Sequence, residues 1–278
     1  MLRPPRSVPV SSQAQALALA AALFFLASCA PEKELKIQSY PSGSRQAEIP
    51  LVRGRAQGEG RFYYESGALQ WRIPYASDRR EGIATEYDEA GRKISEARFT
   101  RGKLSGLFIR FGPEGRTQAI SPHVDGEKQG WEREYDTQGR LSVETEYRKG
   151  RMHGEKREYR EDGSLQVKWQ FRSGKPVGEK VWFFPDGRTN GTVPFKGGKQ
   201  EGISRIYSKT GIPLLEIPWK AGKKEGIERW YNTNGELLKE LPYRGGMLEG
   251  LAKYYDAGRG VTNMVRYRTN GRVETASP

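Results

Sequence analysis

Glycine returns every 24 residues along most of this chain: Gly58, Gly82, Gly106, Gly130, Gly154, Gly178, Gly202, Gly226 and Gly250. No other feature restricts the fold as much, because a fixed period without insertions means one supersecondary unit copied in tandem. With that glycine as position 0, further glycines stand at position 9 (Gly67 through Gly235) and at position 20 (Gly102 through Gly246, with Asp78 in the first copy). Position 5 is aromatic in every copy, from Tyr63 to Tyr255, and position 17 is aromatic in every copy but one, where His123 stands.

Each copy reads as two strands. Positions 1 to 6 and 10 to 18 carry the β-branched and aromatic residues. Between them lies a loop ending in glycine, as in Phe184-Pro185-Asp186-Gly187, which predicts a type I turn followed by a left-handed glycine in a G1 bulge. The glycine at position 20 serves the return turn. A three-residue loop pairs position 5 with 11, 3 with 13 and 1 with 15, which predicts that odd positions, including the aromatics at 5 and 17, share one face. Glu132, Glu134, Glu144 and Glu146, at even positions, are then expected on a solvated face. Proline at position 16 (Pro74, Pro122, Pro194, Pro218, Pro242) cannot donate to a ladder, so a bulge is expected there. The fold class that follows is all-β: an elongated single-layer antiparallel meander of tandem 24-residue hairpins.

The first residues read as an address. Arg3 and Arg6 precede an apolar run from Ala16 to Ala27, too short to span a bilayer but suited to a signal peptide. The run ends in Leu26-Ala27-Ser28-Cys29, which resembles the lipobox of bacterial lipoproteins. That resemblance implies cleavage before Cys29, a diacylglycerol on its sulfur and an acyl group (palmitate is typical) on its new amine. Cys29 is the only cysteine, so no internal disulfide is available. Cleavage removes Arg3 and Arg6 and lowers the net charge from +13 to +11. Ala30 rather than aspartate follows Cys29, so in a Gram-negative cell the sorting rule implies the outer membrane, facing the periplasm. The expected layout is a signal peptide over 1–28, a lipidated tether over 29–42, a degenerate repeat over 43–57, nine repeats over 58–273 and a disordered tail over 274–278.

The pattern Gly-x₄-aromatic-x₃-Gly, followed by an aromatic and Gly-Lys-x-x-Gly, resembles the MORN repeat, nearest to the bacterial variant found in secreted and lipid-anchored proteins. The resemblance covers roughly residues 34 to 273 and implies an array used for binding or self-association, not catalysis. Some relatives of that kind are labelled antitoxins, which suits an exported lipoprotein poorly. Arg259 replaces the position-9 glycine in the last copy, as in a capping repeat.

Candidate chemistry is sparse. His123 and His153 lack Cys or carboxylate neighbours at ligand spacing, so no metal site and no cofactor are expected. Glu81, Glu201, Glu225 and Glu249 each precede a repeat glycine and read as turn residues, not as a glycosidase pair. No Gly-x-Ser-x-Gly elbow occurs, and the glycine clusters open no helix. A glycan-acting enzyme is therefore the weakest reading. Export disfavours nucleic acid as a partner of the positive charge and leaves anionic envelope polymers. Basic residues at position 3 (Arg61, Arg133, Arg157, Arg205, Arg229, Lys253) are expected over the rings.

Position 4 stands out. It is Glu86, Arg110, Glu134 and Glu158 in the middle copies, then Trp182, Ile206, Trp230 and Tyr254. Equivalent residues of adjacent copies lie about 10 Å apart, so these four form an apolar stripe on a face expected to be polar. They are the candidate surface for a protein partner or a second copy, and the expected function is a lipid-anchored, non-catalytic envelope scaffold. A structural or self-associating envelope element is the alternative.

Overall fold

The computed structural model describes residues 32–256, 260–268 and 273–276. Among them the chain forms one antiparallel sheet of 27 strands, counting two-residue pieces, and no helix. The larger contacts all join strands that follow one another along the chain, which makes the sheet a meander. Cys29 and the signal-peptide segment lie outside the described residues.

Both turns are built as their glycines require. In one copy Gly139 N donates to the Asp136 carbonyl (3.0 Å) and Asp136 N to the Arg140 carbonyl (2.9 Å), with Gly139 at φ 81°. Asp136 Oδ1 accepts from Gln138 N and Arg140 N, an Asx turn that fixes the corner. In the return turn Lys149 (φ 50°) and Gly150 (φ 71°) are both left-handed between the paired Arg148 and Arg151, a two-residue hairpin of the I′ kind. Only its second residue is marked by glycine in most copies.

The strand register departs from the simple expectation. Tyr135 pairs with Leu141, position 5 with 11, as the loop length requires. The next pair is Glu134 with Val143, so Ser142 is an extra residue and the ladder shifts by one. Position 3 then faces 14 (Arg133–Glu144), 2 faces 15 (Glu132–Thr145) and 0 faces 17 (Gly130–Tyr147), and the same shift recurs in every copy whose first hairpin is described. One inserted residue moves the second strand to the opposite face. The aromatics at 5 and 17 therefore lie on opposite faces. Positions 2, 4, 13, 15 and 17 make one face, the groove face; positions 1, 3, 5, 14 and 16 make the other, the ladder face. Glu132 and Glu134 belong to the first, Glu144 and Glu146 to the second.

The expected irregularity at proline is present. Opposite Pro74, Pro122, Pro194, Pro218 and Pro242 the following strand breaks in two, as at Lys199–Gln200 and Gly202–Tyr207. The amide just before the glycine reaches back to the proline carbonyl, as Glu201 N does to Pro194 O (3.1 Å). Where position 16 is Arg98, Glu146 or Gln170, the next strand runs unbroken: Lys103–Phe111, Arg151–Tyr159 and Lys175–Phe183.

Burial is one-sided and thin. Ala84 and Ala252 are fully covered, and Ile73, Ala97, Val167, Phe171 and Leu215 nearly so, all on the groove face. No large side chain is fully buried among the described residues, as befits a sheet with no second layer.

The ends correct the expected layout. Residues 33–39, read as tether, form the strand Lys33–Ser39, which pairs with Arg45–Val52 in the normal repeat register: Lys36 with Ile49, Ile37 with Glu48, Gln38 with Ala47. The copy read as degenerate over 43–57 thus begins near residue 34 and is structurally whole. Its pairing partner makes the difference, since strand formation here depends on cross-strand contacts more than on local pattern. At the other end Val273–Ala276, assigned in part to a disordered tail, pairs with Gly260–Tyr267.

Candidate binding face

The ladder face explains most of the repeat's polar residues. Glu144 accepts from Arg133 Nε (3.0 Å) and from the Tyr159 hydroxyl (2.8 Å) of the next copy. Glu216 serves Arg205 (2.9 Å) and Tyr231 (3.2 Å); Glu240 serves Arg229 (3.1 Å) and Tyr255 (2.9 Å). Position 3, position 14 and the next copy's position 5 thus form one recurring Arg–Glu–Tyr unit that ties copy to copy. Burial, and then the neighbouring carboxylate, holds the Tyr159 and Tyr231 phenols above their usual range. The arginines at position 3 do share the position-5 face as expected, but these three are spent on position-14 carboxylates.

The glutamates before the repeat glycines are turn residues, as their position suggested. Glu81 Oε2 accepts from Arg101 N, Glu201 from Ala221 N and Glu225 from Gly245 N, each at 2.7 Å, so each holds the left-handed residue of the next copy's return turn. Glu249 instead meets Arg244 (3.2 Å). Buried His123 packs edge-on against Phe108, with Nδ1 3.0 Å from the Ser121 carbonyl. Among the described residues no group of three or more His, Cys, Asp or Glu side chains converges as a metal site would require.

The stripe Trp182, Ile206, Trp230 and Tyr254 lies on the groove face, beside the apolar columns 13, 15 and 17, and not on the polar face expected for it. The bulge is the reason, since it carries position 13 across to meet position 4. Along the sheet the two positions alternate in one row: Val167–Trp182–Gly191–Ile206–Leu215–Trp230–Lys239–Tyr254. Ile206 is 46% exposed, and Trp182, Trp230 and Tyr254 are half-buried. Lys180 Nζ sits 4.0 Å from the Trp169 ring centre and 5.0 Å from that of Trp182, and Lys239 lies 4.3 Å from that of Trp230. Trp230 Nε1 donates to Glu228 (2.6 Å), which also holds Lys224.

Between Trp182 and Ile206 the row opens into a groove of about 330 Å³, lined on the same face by Val193, Ser204, Leu215, Ile217 and Trp219. Sequence reasoning found its two flanks, Trp182 and Ile206, and missed its floor. Gly191 was the available signal: position 13 carries a side chain in every other copy from Trp71 to Asn263.

Comparison with known proteins agrees with this architecture. Residues 152–173 and 224–244 match the MORN repeat variant. The same 24-residue hairpin recurs on either side of the two matched segments. No curated protein matches it. Solved structures give only faint likenesses. A Photorhabdus luminescens Tc holotoxin pore is 14% identical over 88% of this chain, at a TM-score of 0.20. Virginiamycin B lyase from Staphylococcus aureus is 12% identical, over 89% of each chain, at 0.16. The chain spans 15% of the length of the first of these, and neither likeness bears on function.

Proposed function

We propose that this protein is a lipid-anchored, non-catalytic binding scaffold of the bacterial cell envelope, held to the membrane through Cys29. Its groove face, around Trp182, Ile206, Trp230 and Tyr254, receives a protein partner or a second copy. The observation that carries this reading is the partly exposed stripe of Trp182, Ile206, Trp230 and Tyr254, at a position that holds Glu134 and Glu158 in earlier copies. A repeat that folds with glutamate at position 4 does not need tryptophan there for folding, and exposed apolar patches of this kind are the usual mark of an interface. A non-catalytic role is supported by the candidate acids, which are engaged in turns and in the Arg–Glu–Tyr units. The net charge suits anionic envelope polymers as a secondary partner, and Ala30 favours the outer membrane, facing the periplasm, in a Gram-negative host. Several acyl chains give stable anchoring, at roughly 0.8 kcal/mol per buried CH₂.

Self-association through the sheet edge is a second reading, favoured by one observation: all seven residues of the strand Lys33–Ser39 are exposed, and among the described residues this strand pairs on one side only, with Arg45–Val52. Metabolic labelling with an alkyne fatty acid tests the anchor. The parent chain takes up label and Cys29→Ser does not; equal labelling of the two overturns the anchor.

A further inference from the structure

The groove between Trp182 and Ile206 has two properties that the stripe alone does not explain. Its row lacks one side chain, at Gly191, and the chain cannot supply it. A β-carbon built there would stand 2.9 Å from the Arg205 carbonyl oxygen and 3.5 Å from the Trp182 ring, so even a methyl group forces the backbone aside. The gap can be filled only from outside. The groove is also lined by Ser204, 6% exposed, and by Trp219, and the Ser204 hydroxyl and the Trp219 indole N–H are buried without a hydrogen-bond partner among the described residues. Unspent polar groups of this kind cost stability in the free protein and are rare in folded chains. The other groove-face side chains of the lining, Val193, Leu215 and Ile217 with Trp182 and Ile206, are apolar; Asn190 at the bulge and Thr192 and Arg205 on the ladder-face positions also border it, and the Arg205 guanidinium is held by Glu216.

We infer that this groove is a docking site for one apolar side chain of an extended partner segment. The side chain takes the slot that Gly191 leaves empty, against Trp182 and Ile206. A carbonyl oxygen of the same segment accepts from Ser204 and Trp219. A side chain flanked by peptide carbonyls supplies both halves at once, an apolar body and a neutral acceptor. A sugar, with hydroxyls around its ring, matches a groove face dominated by Trp182, Val193, Ile206, Leu215 and Ile217 less well. The inference rests on the groove face being the partner surface and specifies what that partner presents.

The test uses the chain from residue 29 with Cys29→Ser and follows its indole N–H resonances by NMR, the Trp219 signal being assigned with Trp219→Phe. Titration with N-acetyl-L-leucinamide moves the Trp219 signal downfield, while N-acetylglycinamide, with the same carbonyls and no side chain, leaves it in place. Ser204→Ala weakens the leucinamide titration by about three- to tenfold, as expected for one neutral hydrogen bond. It leaves the melting midpoint unchanged or raised, a combination that a merely structural role for Ser204 does not give. An equal shift with the glycinamide, an unaltered titration in Ser204→Ala, or a response to phosphatidylcholine vesicles and not to leucinamide overturns the inference. If leucinamide has no effect while Trp182→Glu with Trp230→Glu abolishes association, this groove assignment alone fails. If leucinamide binds and that double variant associates as before, the reading of the stripe fails instead.

Discussion

Pro194 Cγ covers Gly202, 3.1 Å from where a β-carbon on that glycine would stand. The same contact joins Pro74 to Gly82, Pro218 to Gly226 and Pro242 to Gly250. Gly202 is also at φ 111°, a conformation that L side chains rarely adopt. The proline breaks the following strand, and the glycine accepts both the break and the ring. Two conspicuous columns of the sequence, eight residues apart, are thus one packing unit between successive copies.

Gly202→Ala is therefore expected to lower stability by about 1–3 kcal/mol, from backbone strain plus the clash. Gly178→Ala is expected to cost less, because Gly178 has φ 66° and nothing within 4 Å of a β-carbon. Urea midpoints of the two variants check this; equal losses would mean that the proline contact contributes nothing.

Ala221, at φ 51°, occupies the left-handed first residue of a return turn where two other copies carry Gly197 and Gly245. Ala221→Gly is expected to raise stability by several tenths to about 1 kcal/mol, the relief of left-handed strain less the added freedom of glycine in the unfolded chain. Thermal unfolding reads the sign directly, and a lower midpoint contradicts the turn assignment.

Glu144 joins Arg133 to the Tyr159 of the next copy and also lies 3.7 Å from Arg157. Glu144→Ala is expected to cost about 1–3 kcal/mol, because it leaves the half-buried Tyr159 hydroxyl and Arg133 Nε without their acceptor, while Arg157 keeps Glu155. Tyr159→Phe removes one donor only and is expected to cost about 1 kcal/mol or less. A double-mutant cycle between the two positions should show coupling, and strict additivity would mean that the hydrogen bond is not formed in solution.

Burial, and then the charge of Glu132, pushes the Tyr147 phenol up to about 12. A phenol raised in the folded state adds stability that is fully present below the unfolded value, about 10, and is lost as pH climbs from there through about 12. Stability is therefore expected to fall across that interval. Difference absorbance of tyrosinate should show a fraction of phenols ionising late in the folded chain and together near 10 in urea. A single transition near 10 without urea contradicts the burial of Tyr147.

The period, the hairpins, the loop glycines and the roles of Glu81, Glu201 and Glu225 were all legible in the sequence, because each depends on residues at fixed offsets within one unit. The faces were not. A single extra residue at position 12 reverses the second strand, and its types there (Gln70, Ser142, Asn190, Leu214) share no property that marks a bulge. That reversal hid the pairing of positions 3, 14 and 5, and it put the Trp182 stripe on the wrong side. Residues 33–39 looked like a linker because strand formation there depends on pairing with Arg45–Val52 and not on their own pattern.

The position-4 precedents make the central claim testable. Glu158 sits 3.0 Å from Lys156, two residues before it, and Lys180 stands in the same relation to Trp182. Lys128, Glu132 and Glu134 likewise repeat the arrangement of Lys224, Glu228 and Trp230. Glutamate at 182 therefore meets Lys180, and glutamate at 230 meets Lys239, each of which already lies over the ring being replaced. The most direct measurement compares the Trp182→Glu, Trp230→Glu double variant with its parent, both carrying Cys29→Ser, by light scattering and by capture of envelope proteins, with circular dichroism and melting on the same samples. The account predicts a folded variant with a melting midpoint close to the parent's and with dimerisation or partner capture lost. A variant that unfolds, or one that folds and associates as the parent does, contradicts it.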